Sequence, residues 1–147
     1  MRILEIIDFS IQEVHSLPKT KEFVGLQAGR GKKDHSIIQV SSKGFSYVEG
    51  LIWNKYREYG NKLKSKISSS EWERILKGFN TALQQLSEYE TEDELIKILK
   101  FEIMNSKNSL IVALENIDEL EGFLSKMIDW ISSMIVDEDY ILIMKKK

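Results

Sequence analysis

The strongest periodic signal in the sequence lies between Ser70 and Leu86. Apolar residues recur there at spacings of three and four, which places them on one face of a helix. Ser70 is followed three residues later by Glu73, a capping-box pattern that predicts the first turn of this helix. An apolar helix face must be covered by another layer of structure, so other elements have to pack against it. The apolar stripe consists of Trp72, Ile75, Leu76, Phe79, Ala82, Leu83 and Leu86.

Three further segments have helical spacing. Residues 42–60 carry an apolar stripe that runs to Gly60, a residue that commonly follows a helix end. A second capping box, Thr91 with Glu94, opens ELIKILKFEIM, whose helix we expect to end within residues 105–108. Residues 110–134 also keep helical spacing, and two interpretations stay open: one long helix, or a strand at LIVAL followed by a helix capped by Asp118.

Strand signals lie between and outside these helices. Residues 1–9 are short and rich in Ile and Leu, and they predict a strand buried on both faces. FVGL at 23–26, SIIQVS at 36–41 and DYILIM at 139–144 are further strand candidates, and Pro18 indicates a turn. We therefore predict a helix-dominated α+β fold in which three or four helices pack with a small sheet, with a mostly α fold as the alternative.

Composition limits the class of protein. At 147 residues, with 42% hydrophobic and 30% charged residues, the whole chain from 1 to 147 is expected to form a single globular domain. The chain has no cysteine, which excludes disulfides, thiolate zinc sites and a cysteine nucleophile. The N-terminus lacks a secretory pattern and no apolar run reaches the length of a membrane span, so we expect a cytoplasmic protein without a membrane partner.

The charge is distributed unevenly along the chain. Residues 1–74 have 13 Lys or Arg against 9 Asp or Glu, whereas residues 75–147 have 8 against 14. Nucleic-acid binders usually carry an excess of positive charge, and this chain has a net charge of −2. The distribution therefore argues against nucleic acid as a partner, and the acidic half is suited to attracting a basic one.

The segment GLQAGRGKKDHS at 25–36 is the most glycine-rich part of the chain. Its spacing does not fit the phosphate loop, because five residues separate Gly25 from Gly31 and Lys33 stands where Ser or Thr is required. It does not fit the dinucleotide motif either, because Asp34 occupies the third glycine position. We interpret it as a basic connection between two strands, with phosphate binding by Arg30, Lys32, Lys33 and His35 as the alternative.

The other candidate chemistries have weaker support. Asp34 and His35 could form an acid–base pair, but adjacent residues on a strand point to opposite faces. The second histidine, His15, has no neighbours at metal-ligand spacing, and no serine lies in a G-x-S-x-G elbow. The sequence therefore predicts no catalytic residue, no metal site and no cofactor.

Acidic and aromatic residues in the C-terminal half suggest a binding surface instead. Asp137, Glu138 and Asp139 form an acidic run just before a predicted strand, where no helix start accounts for the charge. Tryptophans near acidic groups are typical of protein interfaces. Trp72 is assigned to the core. The predicted partner-binding residues are Asp137, Glu138, Asp139, Trp130, Trp53, Glu119 and Glu121.

Part of the chain resembles the layout of small bacterial immunity proteins that neutralise contact-dependent or polymorphic toxins. The resemblance lies in two runs, DHSIIQVSSKGFSYVEGLI and ISSSEWERILKGFNTALQQL. The likeness covers residues 34–86 and carries no residue roles with it. It implies a non-enzymatic cytoplasmic protein that binds a cognate basic toxin, commonly a nuclease, and occludes its active site. The alternative is a small enzyme or nucleic-acid-processing protein that uses the basic loop at 29–35 on phosphates.

Overall fold

A computed structural model describes residues 7–60, 62–100 and 117–146. They form a mixed α+β domain with a five-stranded sheet and five helices, which confirms the predicted fold class. None of the described helices is long and apolar enough to cross a membrane. In chain order the elements are β1 Ile11–Glu13, β2 Phe23–Ala28, β3 Ile37–Ser41, α1 Ser42–Ser46, α2 Glu49–Lys55, β4 Lys64–Ser68, α3 Ser69–Leu86, α4 Glu92–Leu99, α5 Ile117–Asp137 and β5 Tyr140–Met144.

The sheet is antiparallel throughout, with the strand order β1-β3-β2-β5-β4. Its core face is set by alternation: Leu26 lies opposite Ile38 on one side and Ile143 on the other, and all three are buried. The helices pack on this face, where α3 contacts α2, α4 and α5 as well as β4 and β5. One continuous hydrophobic cluster joins the two layers.

The opposite face of the sheet is partly covered by the segment at 14–22, which connects β1 to β2 across the position of β3. A Cβ on Gly25 would lie 2.5 Å from Pro18 Cδ and 2.7 Å from Leu17 Cδ2. Gly25 therefore allows Leu17 and the buried Pro18 to pack directly on the strand. The segment around Pro18 therefore both connects β1 to β2 and covers part of the sheet face opposite the helices.

Three of the predicted strands are present as β2, β3 and β5, while β1 and β4 had no clear signal because they are a three-residue edge strand and a lysine-rich edge strand. Residues 7–9 are not in a strand, and the rest of the strand predicted at 1–9 lies outside the described residues. The predicted helix over 42–60 is two short helices, α1 and α2, the second ending at Lys55. Trp72 is fully buried, as predicted.

The start of α3 differs from the prediction by two residues. The side chain of Ser68, not Ser70, accepts the Glu71 backbone N–H at 3.4 Å, because β4 leads directly into the helix. At α4 the predicted cap is confirmed: Thr91 Oγ1 accepts from the Glu94 backbone at 3.1 Å. Residues 117–137 are one helix, α5, and the LIVAL segment lies outside the described residues. The helix predicted to reach 105–108 ends earlier: α4 stops at Leu99, where Lys100 adopts a left-handed conformation with a φ of 54°.

Candidate functional site

The basic segment at 29–36 is the loop of a hairpin between β2 and β3, as the sequence predicted. Gly29 and Gly31 both have positive φ, 59° and 71°, which glycine adopts without steric cost. The loop is closed by the Ala28 backbone N–H, which donates to Ser36 O at 2.8 Å. Inside it, Ser36 Oγ donates to Lys33 O at 2.6 Å, so local hydrogen bonds define its shape.

The acidic run at 137–139 consists of Asp137, the last residue of α5, and the two residues that connect it to β5; we call these three residues the acidic turn. The Glu138 N–H continues the helical pattern by donating to Met134 O at 3.0 Å. Ser69, the first residue of α3, forms two hydrogen bonds with the turn: its backbone N–H donates to Asp139 O at 2.8 Å, and its Oγ donates to Glu138 O. The acidic side chains are therefore presented on a well-supported turn.

The loop and the turn are in contact. Lys33 Nζ lies 3.6 Å from Glu138 Oε1 and 3.9 Å from Asp137 Oδ2. The Glu138 carboxylate packs against Gly29, at a position that a Cβ would occupy. The indole N–H of Trp130 donates to His35 O at 2.8 Å, which ties α5 to the far end of the loop. We call this combined region the hairpin–helix surface: residues 29–35, Trp130, Val136 and residues 137–139.

The hairpin–helix surface has mixed charge. Two of its four basic candidates are next to carboxylates: Lys33 as above, and His35, whose Nδ1 lies 2.5 Å from Glu13 Oε2. Among the described residues, Arg30 and Lys32 have no acidic ion-pair partner. With Glu13 included, five carboxylates accompany three Lys and Arg side chains here, so the region is not a cationic pocket. The carboxylates belong to Glu13, Asp34, Asp137, Glu138 and Asp139.

An apolar residue lies within this polar region. Val136 is 80% exposed, and only one other large hydrophobic among the described residues, Leu63, is also exposed. Trp130 is half-buried and packs against the core while its N–H reaches the loop. Val136 directly precedes Asp137 in the chain, so this exposed apolar side chain borders the acidic run, and a protein partner can contact both.

A concave site of about 340 Å³ lies between the loop and residues 13–15, at the end of β1. It brings together both histidines of the chain, His15 and His35, with Glu13, Lys32 and Lys33. The sequence alone gave no reason to connect His15 with His35, because the pairing of β1 with β3 creates this proximity. His35 itself has a φ of 67°, an unusual conformation for a residue other than glycine.

The remaining predicted partner-binding residues lie elsewhere. Trp53 is on α2, where its indole N–H donates to Arg57 O at 3.0 Å. Glu119 and Glu121 are in the first turns of α5, about 25 Å from Asp137 along the helix axis. Glu119 borders a largely apolar cavity of about 530 Å³ beside Phe9 and Phe123. The structure thus joins Trp130 to the acidic turn and separates Trp53, Glu119 and Glu121 from it.

The sequence gave no sign of a buried polar cluster at the start of α2. Glu49 is only 8% exposed, accepts a hydrogen bond from Tyr59 Oη at 2.6 Å and forms an ion pair with Lys145. Burial, with a further contribution from Glu49, raises the pKa of Tyr59 far above its usual range. The cluster anchors the chain after β5 to α2. Its three residues are separated by up to 96 positions, so no local pattern could reveal it.

Among the described residues, no group of three or more His, Asp or Glu side chains is arranged to hold a metal ion. Comparison of the chain with protein-family models, with curated proteins and with solved structures finds no match. The chemistry of the surface itself is therefore the basis for assigning a role.

Proposed function

We propose that this protein acts by binding another protein, and that it is an immunity-type inhibitor of a cognate bacterial toxin with a basic active-site surface. In this proposal the hairpin–helix surface contacts the toxin and occludes its active site in the cytoplasm. A nuclease suits this role best, because its substrate-binding surface is basic. The expected class of partner comes from the resemblance of residues 34–86 to immunity proteins.

One observation carries the proposal: the basic loop and the acidic turn are a single surface in which carboxylates outnumber Lys and Arg side chains. The side chains of Asp137 and Asp139 are exposed at its rim, beside the exposed Val136. Rim charges act mainly on the association rate and on specificity, whereas a few apolar and aromatic contacts supply most of the affinity. Val136 and Trp130 provide such contacts.

The same observation counts against the phosphate-binding alternative. A phosphate at the loop would compete with Asp137 and Glu138 for Lys33, and it would be repelled by their charges. The basic side chains of a protein partner would instead be attracted by the Asp137 and Glu138 carboxylates. The geometry therefore favours protein binding over phosphate chemistry at the turn side of the loop.

The test uses the double variant D137K/D139K, which reverses two exposed rim charges and leaves Glu138 and its contact with Gly29 in place. Its matched control is E73K/E88K, which makes the same charge change at exposed positions on and just after α3. Each variant is co-expressed with the toxin domain that the proposal expects the neighbouring gene to encode. We expect growth protection from the wild type and the control, and loss of protection from D137K/D139K.

Association rates measured by stopped flow give a second readout of the same interaction. At low salt, D137K/D139K should associate with the toxin domain at least about tenfold more slowly than the control, and the difference should shrink above about 0.5 M salt because of screening. Equal rates at low salt would remove the acidic turn from the interface. Absence of any complex would reject the immunity role.

A second candidate function rests on the concave site that holds both histidines. The Glu13–His35 contact at 2.5 Å is a geometry in which a carboxylate orients an imidazole for acid–base work. Lys32 and Lys33 at its edge could meet the phosphate of a substrate. This alternative predicts that phosphate or a short oligonucleotide shifts the NMR resonances of His15 and His35. In H35A, which should stay folded, the same addition should no longer shift the His15 resonances.

A further inference from the structure

The strand β4 is at one edge of the sheet and pairs only with β5 among the described strands. Its hydrogen-bonding direction alternates along the strand. The Lys145 N–H donates to Leu63 O at 2.7 Å and the Ser69 N–H donates to Asp139 O at 2.8 Å, so residues 63, 65, 67 and 69 face β5. The backbone N–H and C=O groups of Lys64 and Lys66 and the N–H of Ser68 consequently point away from the sheet, whereas the C=O of Ser68, the N-cap residue, belongs to the first turn of α3. Within the three described ranges, no strand pairs with them.

The side chains of these outward-bonding residues share one face. Ser65 and Ile67 are buried on the core face, so Lys64 and Lys66 project from the opposite face, where both are exposed. Lys62 and Lys146, also exposed, extend this basic patch beyond the ends of β4 and β5. In a protein of net charge −2, none of these four lysines has an acidic ion-pair partner among the described residues.

An aromatic ring sits next to the lysines. Lys66 Nζ lies 4.3 Å from the centre of the Tyr140 ring, a cation–π contact on the same face of the sheet. Within residues 7–60, 62–100 and 117–146, no backbone hydrogen bond uses the outward N–H and C=O groups of Lys64 and Lys66. The spacing of Lys64 and Lys66 along β4 is about 6.6–6.8 Å, the same as the spacing of alternate side chains in any extended peptide.

We propose that the outer edge of β4 binds an extended acidic segment of a partner protein by antiparallel strand addition. The backbone of the segment hydrogen-bonds Lys64, Lys66 and Ser68, and carboxylates at its alternate positions lie opposite the lysines. This site goes beyond the proposed inhibitory function, because it uses different residues and takes a partner of opposite charge. Each proposal can fail without the other.

Two other occupants fit the edge less well. A second copy of β4 would place lysine opposite lysine, a repulsive arrangement that commonly keeps edge strands from pairing with themselves. A nucleic acid would satisfy the lysines, but it lacks the regular alternation of donors and acceptors that the free backbone edge requires. An acidic peptide strand satisfies both the charges and the backbone groups.

The test measures binding of a fluorescein-labelled peptide, Thr-Glu-Val-Glu-Val-Glu-Thr, to the full chain by fluorescence anisotropy at about 50 mM salt. K64E/K66E should weaken binding at least about tenfold, because two attractive cross-strand pairs become repulsive. The matched control is K19E/K21E, which reverses two exposed lysines at the same spacing outside β4, and we expect it to stay within about twofold of the wild type. Circular dichroism confirms that both variants are folded.

Two N-methylated peptides test the strand geometry. In antiparallel addition, the glutamates lie opposite the outward-bonding residues of β4, so their own N–H groups face the protein. Methylation of the glutamate nitrogens should therefore abolish binding, while methylation of the valine nitrogens should preserve it. Equal effects of the two methylation patterns would overturn strand addition, and the reverse pattern would overturn the antiparallel arrangement.

Competition separates the remaining occupants. A uridine-rich single-stranded oligonucleotide that displaces the peptide with equal or higher affinity would overturn the assignment in favour of nucleic acid. Dimerisation of the wild type that the peptide reverses and that K64E/K66E alters would overturn it in favour of a second copy. Failure of the unmodified peptide to bind the wild type would reject the site.

Discussion

The indole N–H of Trp130 donates to the backbone carbonyl of His35 at 2.8 Å, across 95 positions of sequence. This bond fastens the last part of α5 to the loop between β2 and β3. The carbonyl belongs to a residue with positive φ, so the contact holds an unusual backbone conformation in place. It also explains why a tryptophan beside the apolar row of α5 is half-buried instead of fully exposed.

Replacing Trp130 with phenylalanine tests this fastening. Phenylalanine keeps an aromatic ring but loses the five-membered part of the indole and its hydrogen bond, so we expect the free energy of unfolding to fall by about 1–3 kcal/mol. Amide hydrogen exchange in residues 29–36 should accelerate in the same variant. W53F is the matched control, because it removes the local bond to Arg57 O on α2. Its exchange rates at 29–36 should equal those of the wild type, and no acceleration in W130F would contradict the role assigned to the bond.

Gly29 is required for two reasons that can be separated. Its φ of 59° disfavours a side chain, and a Cβ would meet the Glu138 carboxylate. We expect G29A to lower the free energy of unfolding by about 1–3 kcal/mol, measured by urea denaturation. The double variant G29A/E138A should recover part of that loss relative to E138A alone, because the steric conflict is removed while the backbone strain persists.

Gly122 provides the contrast to Gly29. It lies within α5, and a Cβ there would meet no described residue within 4 Å. G122A should therefore stabilise the protein by about 0.5–1 kcal/mol through helix propensity alone. A destabilising G122A, or a neutral G29A, would show that these backbone environments are described incorrectly.

The sequence predicts Ser70 as the N-cap of α3, whereas the structure has Ser68 at that position. S68A should cost about 1 kcal/mol of stability, because the Ser68 side chain accepts the Glu71 N–H. S70A should change stability by no more than about 0.5 kcal/mol, since Ser70 is exposed within the first turn and does not hold the N-cap position. Thermal or chemical denaturation of the two variants measures the difference, and the opposite order would restore Ser70 as the cap.

Alkaline pH should destabilise the protein through two buried tyrosines. Burial raises the pKa of Tyr47 from 10.0 to about 12, and burial together with Glu49 raises the pKa of Tyr59 still further. The unfolded chain then releases these protons more readily than the folded one. The stabilisation is fully present below pH 10 and is lost as pH rises through 10 and beyond.

Urea denaturation at a series of pH values checks this dependence. The free energy of unfolding should begin to fall near pH 10 in the wild type, and the fall should be much shallower in Y47F/Y59F. At pH 7, Y59F alone should cost about 1.5–3 kcal/mol, because Glu49 loses a hydrogen-bond donor to its charged group. A wild-type pH dependence in the double variant would assign the alkaline transition to other groups.

Local patterns in the sequence were sufficient for much of the fold. The apolar stripe of α3, the Thr91 cap of α4 and the apolar runs of β2, β3 and β5 are properties of short segments, so they could be predicted. The short edge strand β1 and the lysine-rich edge strand β4 lack an apolar core pattern, and they are strands because neighbouring strands offer them hydrogen bonds.

The sequence by itself predicted the α+β class, with a mostly α fold as the alternative, and it determined the helical stripes and the glycine-rich connection, because each depends on residues close together along the chain. Only the tertiary structure decided that the basic loop and the acidic turn form one surface, that His15 and His35 share a cavity and that Glu49, Tyr59 and Lys145 cluster. Those relationships follow from strand order and from the packing of α5 on the sheet. They depend on contacts between distant residues, which no local periodicity specifies.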